Sequence, residues 1–146
     1  MNAALERFKA LLDETPGRLN TITESEAEAR PAPGRWSKKE ILGHLIDSAS
    51  NNHQRFVRTQ LEPSVSLPGY QQELWVGVQQ YQQETWKGLV QVWDSYNRHL
   101  LHVITHVPDD KRKNLCSVGA AEPVTLEFLV KDYVRHLAHH LSQILE

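Results

Sequence analysis

The chain has 146 residues, of which 40% are hydrophobic and 23% are charged, and its formal net charge at pH 7 is −2. This length and composition predict one globular domain, residues 1–146, that buries a core without help from disulfides. The pI of about 6.4 indicates no basic surface for nucleic acid or anionic lipid, and no apolar run approaches the roughly 20 residues of a membrane span. We therefore expect neither a nucleic-acid partner nor a membrane partner.

The N-terminal segment and the cysteine content indicate the cellular compartment of the protein. The segment "MNAALERFKALLDE" mixes charged and apolar residues at helical spacing, which is not the pattern of a signal peptide. The single cysteine, Cys116, excludes an internal disulfide framework and fits a reducing environment. These features predict a cytoplasmic protein, in which Cys116 is an ordinary loop cysteine rather than a nucleophile.

Four segments show the hydrophobic period of 3.6 residues, and none of useful length alternates as a strand does. The first, "AALERFKALLDE", places Leu5, Phe8, Leu11 and Leu12 on one stripe, and we expect Pro16 to end or bend it. The second begins with a capping box, Ser37 with Glu40, and runs to about residue 59. Its hydrophobic staple pairs two further side chains, Trp36 and Ile41.

The remainder of the chain contains two further helices and two long connections. Residues 61–83 contain proline and glycine and predict a loop with a short helix around "QELWVGVQQY". A third helix, "ETWKGLVQVWDSYNRHLLHVITHV", ends at Pro108, and residues 107–124 form a polar connection. A fourth helix begins after Thr125 as N-cap. Four amphipathic helices without strands predict an all-α fold, an antiparallel four-helix bundle.

Three histidines stand close together on the fourth helix: His136, His139 and His140. At 100° per residue, His136 and His140 lie on the edge of its buried face, whereas His139 lies further toward solvent. A histidine pair at i and i+4 can close on one metal ion. From the residues alone, a metal site and a solvated polar edge are about equally supported.

Other histidines lie on the second and third helices. His99, His102 and His106 lie opposite the apolar stripe of the third helix, which predicts a solvated face, and His53 takes a similar outer position on the second. His44 begins a strip of polar residues beside the apolar stripe of the second helix. This strip also contains Asp47, Ser48, Asn51 and Arg55. The periodicity allows two interpretations of it, an outer face of the helix or the wall of a pocket.

The motifs themselves resemble those of a known family. The segment "RWSKKEILGHLIDSASNNHQRF" resembles the second helix of the DinB/YfiT-like superfamily of small bundle metalloproteins, with its W-[ST]-x-x-[EQ] start, H-L-x-D core and N-x-x-x-R-F tail. "YVRHLAHHLSQI" resembles the closing helix, with its H-x-x-x-H pair, and "LPGYQQELWVGVQQY" resembles the linking region. The resemblance covers essentially the whole chain and is nearest to the YfiT type, described as metal-dependent hydrolases.

The resemblance implies a metal site with three ligands, His44, His136 and His140, and with solvent completing the coordination. The metal of this family is usually zinc or nickel, its fold is a four-helix bundle, and its members are often homodimers. Some relatives are S-transferases that use bacillithiol, mycothiol or glutathione. One position departs from the pattern, because this chain has Gly43 where the YfiT type tends to carry a second histidine.

Around such a metal we expect Asp47 to act as general base or to orient a ligand histidine, although an exposed helix carboxylate is an equal alternative. Ser48 lies on the same strip, and Asn51 and Arg55 are candidates for binding an anionic group. Further pocket candidates, on other helices and loops, are Trp75, Tyr81, His139 and Gln143. Trp75 and Tyr81 would stand at the mouth, and Gln143 would bond a ligand or solvent.

Three functions are compatible with these residues. The first is a metal-dependent hydrolase that acts on a small molecule, and the second is a metal-dependent S-transferase for low-molecular-weight thiols. The third is a non-catalytic metal-binding module, which three ligands disfavour because structural zinc sites use four protein ligands.

Overall fold

The computed structural model describes all 146 residues, Met1–Glu146, in six α-helices and three short strands. In chain order these elements are α1 Asn2–Leu19, α2 Glu24–Glu28, α3 Lys38–Leu61, β1 Ser64–Leu67, α4 Gln72–Gln79, α5 Trp86–Thr105, β2 Leu115–Val118, β3 Val124–Thr125 and α6 Leu126–Leu145. Single turns of 3-10 helix occur at Tyr81–Gln83 and Asp109–Lys111. None of the helices combines the length and the apolar composition needed to cross a membrane.

The four long helices α1, α3, α5 and α6 pack together around one hydrophobic core. Helix α3 contacts α5 and α6, and α1 contacts the same two helices from the other side. The largest fully buried side chains are Trp93, Phe8 and Phe56, one from each of α5, α1 and α3. The predicted all-α four-helix bundle is confirmed.

Local hydrogen bonds fix where α3 and α6 begin. At the start of α3, the Ser37 hydroxyl accepts from the Glu40 backbone N–H at 3.2 Å, and the Glu40 carboxylate accepts from the Ser37 N–H at 3.0 Å. At the start of α6, the Thr125 hydroxyl accepts from the Phe128 N–H at 3.1 Å. Both predicted N-caps are confirmed, so the start of each helix is set by its own sequence.

A small sheet joins the two long connections. Strand β1 pairs in parallel with β2, and β2 pairs antiparallel with β3. The prediction of no strands is therefore wrong for these segments. The strands are only four, four and two residues long, which is too short for alternation to be recognised, and the pairing of β1 with β2 joins segments distant in sequence. Cys116, expected in a loop, is buried in β2.

Pro16 does not end the first helix, because α1 continues to Leu19 with Pro16 inside it. A proline has no N–H, so the carbonyl of Leu12, four residues earlier, loses its helical donor. The guanidinium of Arg98 on α5 replaces that donor, with Nη2 at 2.7 Å from the Leu12 oxygen. Helix α1 therefore continues past proline because a neighbouring helix satisfies the freed carbonyl.

Replacing Arg98 by Met should lower the free energy of unfolding by about 1 kcal/mol, since it leaves the Leu12 carbonyl without a donor. Pro16→Ala restores a helical N–H for that carbonyl, so Arg98→Met should cost measurably less in the Pro16→Ala background. Urea denaturation of the four proteins in this double-mutant cycle measures the coupling. An equal cost of Arg98→Met in both backgrounds would contradict the explanation.

Candidate metal centre

Three imidazoles from two helices converge inside the bundle. His44 projects from α3, and His136 and His140 project from α6, such that one ring nitrogen from each lies within 4.8 Å of the others. The ring centroids of His44 lie 5.4 Å from His136 and 4.9 Å from His140, and the latter two are 4.4 Å apart. The histidines that the resemblance predicts as ligands thus meet at one point.

His44 is buried without a hydrogen-bond partner in the protein, as is expected of a metal ligand. Its side chain is only 1% exposed, and neither ring nitrogen makes a hydrogen bond. A buried polar group without a partner is unfavourable and rare in folded proteins. A divalent ion would occupy one of these nitrogens, and a set of three imidazoles suits divalent transition metals. The residues present therefore fit the metal that the family resemblance implies.

The protonation of the cluster also favours metal binding. Burial, followed by the nearby His140 and His136, lowers the pKa of His44 from 6.5 to about 4. Burial, followed by His140, likewise lowers the pKa of His136 to about 4. At neutral pH both rings are therefore uncharged, which is the form that coordinates a metal.

Gln143 orients one of these rings. Its side-chain oxygen lies 2.9 Å from Nδ1 of His140, and its side-chain nitrogen lies 3.3 Å from Nε2 of His139. Because an amide oxygen only accepts, Nδ1 of His140 carries the proton and Nε2 keeps its lone pair for a metal. His139 is exposed and touches the cluster from its outer side.

Trp36 closes another side of the cluster, a role that the sequence did not reveal. Its ring centroid lies 5.2 Å from that of His44. Trp36 and Gln143 also line a cavity of about 660 Å³ at the surface beside the cluster. The sequence identified Trp36 only as a hydrophobic staple, because nothing local indicates which side chain lies beneath its ring.

Asp47, one turn after His44 on α3, is held by residues from outside the bundle. Its Oδ1 accepts from the Tyr81 hydroxyl at 2.7 Å and from the Gln79 side-chain amide at 2.8 Å. Its Oδ2 is buried and has no partner. Burial raises the pKa of the Asp47 carboxyl, while the hydrogen bonds from Tyr81 and Gln79 oppose that rise. Asp47 is thus a fixed carboxylate with one free oxygen.

The polar strip of α3 is not an outer face. His44, Asp47 and Ser48 are 1%, 2% and 4% exposed, respectively. That interpretation is wrong because α4 and the turn after it cover this side of α3, which helical periodicity cannot foresee. Tyr81, expected at the mouth, is buried behind Asp47, whereas Trp75 on α4 remains 38% exposed.

Gly43 makes room for this cover. A Cβ atom at Gly43 would overlap the ring of Tyr81, with Cγ, Cδ2 and Cε2 as its nearest neighbours. The Tyr81 ring can therefore rest on α3 and reach Asp47 only because position 43 has no side chain. This is a physical reason for glycine where the YfiT type tends to carry a histidine.

A positive charge lies further along the strip. Arg55 is half-buried, has no carboxylate oxygen within 4.0 Å, and its one hydrogen bond, to Asn52 Oδ1, is long at 3.5 Å. Burial lowers the pKa of its guanidinium, while neighbouring Tyr70 and Cys116 oppose that change. Arginine remains charged nevertheless. Arg55 is thus a cation without a counterion.

A second cavity, of about 510 Å³, lies between this strip and α4. Asn51, Tyr70 and Trp75 are among its lining residues. The Asn51 side chain donates to the Asp47 backbone carbonyl at 2.9 Å, which leaves its amide oxygen free. Burial raises the pKa of the Tyr70 phenol, the charge of Asp47 raises it further, and Arg55 opposes the rise. Tyr70, which sequence reasoning missed, therefore stands near both charged residues.

The fold and the cluster define a class of protein, a four-helix bundle with a three-histidine centre between two of its helices. The chain matches the DinB superfamily over residues 7–144 and belongs to that family. The resemblance noted from the motifs is confirmed.

Two curated relatives are similar over most of the chain. One is named "Putative metal-dependent hydrolase YfiT", from Bacillus subtilis; it is 21% identical over 97% of this chain and 82% of its own length. The other is named "Putative metal-dependent hydrolase OB0413", from Oceanobacillus iheyensis; it is 19% identical over 96% of this chain and 79% of its own length. These names and the three-histidine cluster together support a divalent metal at this centre.

Two solved structures support the fold. The structure of YfiT from Bacillus subtilis, described as a probable metal-dependent hydrolase with an unusual four-helix bundle topology, has a TM-score of 0.79, with 22% identity over 96% of this chain and 83% of its own. A DinB-like protein of Bacillus subtilis, YjoA, has a TM-score of 0.64, with 14% identity over 97% and 86%.

Gly43→Ala should lower the free energy of unfolding by about 1–3 kcal/mol, because the new methyl group overlaps the Tyr81 ring. Chemical denaturation measures this loss. Gly77→Ala on α4 is the matched control, since nothing lies within 4 Å of its Cβ and alanine there should be neutral or stabilising. If Tyr81→Ala does not relieve the cost of Gly43→Ala, the proposed contact is wrong.

Proposed function

We propose that this protein is a metal-dependent hydrolase that binds zinc or nickel through His44, His136 and His140 and acts on small molecules with an anionic group. The observation that carries this proposal is the orphaned, buried imidazole of His44, which faces two further imidazoles. The names of the curated relatives favour the same activity.

The number of ligands favours a catalytic rather than a structural site. No fourth histidine, cysteine or carboxylate belongs to the cluster, whereas structural zinc sites are closed by four protein ligands. A divalent ion with open positions supplies Lewis acidity, which lowers the pKa of water and polarises a carbonyl or phosphoryl oxygen. Hydrolysis uses both of these effects.

The surrounding residues have separate roles in this proposal. Gln143 holds His140 in the tautomer that coordinates through Nε2, and Trp36 shields the His44 ring. Asp47 leaves α3 on the same face as His44, three residues later, and its free Oδ2 can accept a proton from water. Because Tyr81 and the Gln79 amide occupy Oδ1, only one carboxylate oxygen is available for that transfer.

Arg55 provides the substrate preference. A guanidinium binds carboxylate or phosphate through two parallel hydrogen bonds, and this one has no carboxylate partner within the protein. Arg55 and His44 are on the same helix, and the buried polar residues Asp47 and Ser48 lie between them. A small molecule with an anionic end at Arg55 would therefore direct its other end along the polar strip toward the histidines.

The metal is tested by plasma mass spectrometry on the purified, untagged protein. We expect near-stoichiometric zinc or nickel in the wild type, and loss of the ion in both His44→Ala and His136→Ala. His53→Ala is the control and should retain the ion, because His53 lies outside the cluster. A wild-type protein that holds no metal after incubation with zinc and nickel would overturn the proposal.

The activity is tested with two nitrophenyl esters that differ in charge, nitrophenyl acetate and the mono-ester of succinate. Wild type should favour the succinate ester, and Arg55→Met should reduce its kcat/KM by about 10-fold or more while leaving the acetate little changed. Thiol transfer is assayed in parallel with monochlorobimane and bacillithiol or glutathione. Metal-dependent thiol consumption without ester hydrolysis would replace the hydrolase proposal with the S-transferase alternative.

A further inference from the structure

Four of the eight histidines, all outside the metal centre, lie on one surface formed by α3 and α5. His53 on α3 lies 5.3 Å from His99 between ring centroids, and His99 lies 6.3 Å from His102. His102 and His106 are much closer, at 4.4 Å. This distance equals the His136–His140 separation in the buried centre.

The His102–His106 pair has the spacing of a chelate and a preset tautomer. Nδ1 of His106 lies 2.8 Å from the backbone oxygen of His102. A carbonyl oxygen only accepts, so Nδ1 carries the proton and Nε2 keeps a free lone pair. Metal-binding histidines almost always donate their second N–H to a carbonyl or carboxylate. His106 already makes that bond, and the side chains of both histidines are exposed.

The position of the pair on α5 also favours a cation. The helix ends at Thr105, and His106 is its C-cap residue. The last carbonyl groups of a helix carry partial negative charge, which stabilises cations near the C-terminus.

The other two histidines are less suited to coordination. Nδ1 of His53 is engaged with the Tyr96 hydroxyl at 2.9 Å, and the His99 ring stacks at long distance on His102. No group of three ligand residues forms on this surface. A site here therefore consists of His102 and His106 alone.

We propose that His102 and His106 form a second site for a divalent transition-metal ion such as nickel, zinc or copper(II). It differs from the buried centre in having two protein ligands and in facing solvent. Water completes the coordination, so the ion exchanges with solution more readily and binds more weakly than at the buried centre. This proposal does not rest on the proposed hydrolase function, because it uses none of the same residues.

The test begins with the double variant His44→Ala/His136→Ala, which lacks the buried centre, and calorimetric titration with nickel at pH 7.5. We expect one ion per chain. Adding His106→Ala should raise the dissociation constant at least about 10-fold, because loss of a residue that only hydrogen-bonds a ligand already weakens metal binding about 10- to 100-fold. His99→Ala is the matched control and should leave binding unchanged. Circular dichroism confirms that each variant is helical.

The same titration of the otherwise unchanged metal-free chain covers the case in which the double variant does not fold. There, His102→Ala/His106→Ala should remove the weaker of two binding events and leave the tighter one. The proposal is overturned if no second event exists, if the event survives loss of both histidines, or if His99→Ala weakens it equally. Failure of the buried centre would instead remove the tighter event, so the two proposals fail separately.

Discussion

Burial of the His44 imidazole between α3 and α6 is the constraint on which the centre depends. Both of its nitrogens lack a partner inside the protein, which costs about 1–3 kcal/mol per unsatisfied group unless something binds there. The capping residues Ser37 and Thr125 fix the start of each helix, and the packing of α3 against α6 brings the imidazoles together. The folding free energy that the metal-free bundle loses through this burial is therefore recovered when a metal binds.

The polar side of α3 is kept from solvent by segments that are not part of the bundle. Tyr81 packs on Gly43 and donates a hydrogen bond to Asp47, so the positions of these three residues depend on one another. This arrangement leaves one oxygen of Asp47 buried and without a partner in the protein. A carboxylate in such surroundings has a raised pKa and is a stronger base than one in water. The cover thus shapes the chemistry of the site as well as the fold.

The sequence predicted those features whose signals are local. The caps at Ser37 and Thr125 and the inward edge of His136 and His140 follow from short motifs and helical periodicity. The burial of His44 did not, because it depends on the packing of Trp36, α4 and α6 against α3, which no period describes. The continuation of α1 past Pro16 likewise depends on Arg98, which is far away in sequence. In each case the missing information is a tertiary contact that satisfies a backbone or side-chain group left open by the local sequence.

The two histidine pairs at i and i+4 show why spacing alone does not define a function. His136–His140 and His102–His106 have the same ring separation, yet the first meets a third imidazole in a buried place and the second faces water. Burial at the centre strengthens electrostatic interactions and limits access of water. On the surface the His102–His106 pair meets no third imidazole, so it forms a two-ligand chelate that faces solvent. The difference between the two pairs therefore originates in His44 and its cover, rather than in the pairs themselves.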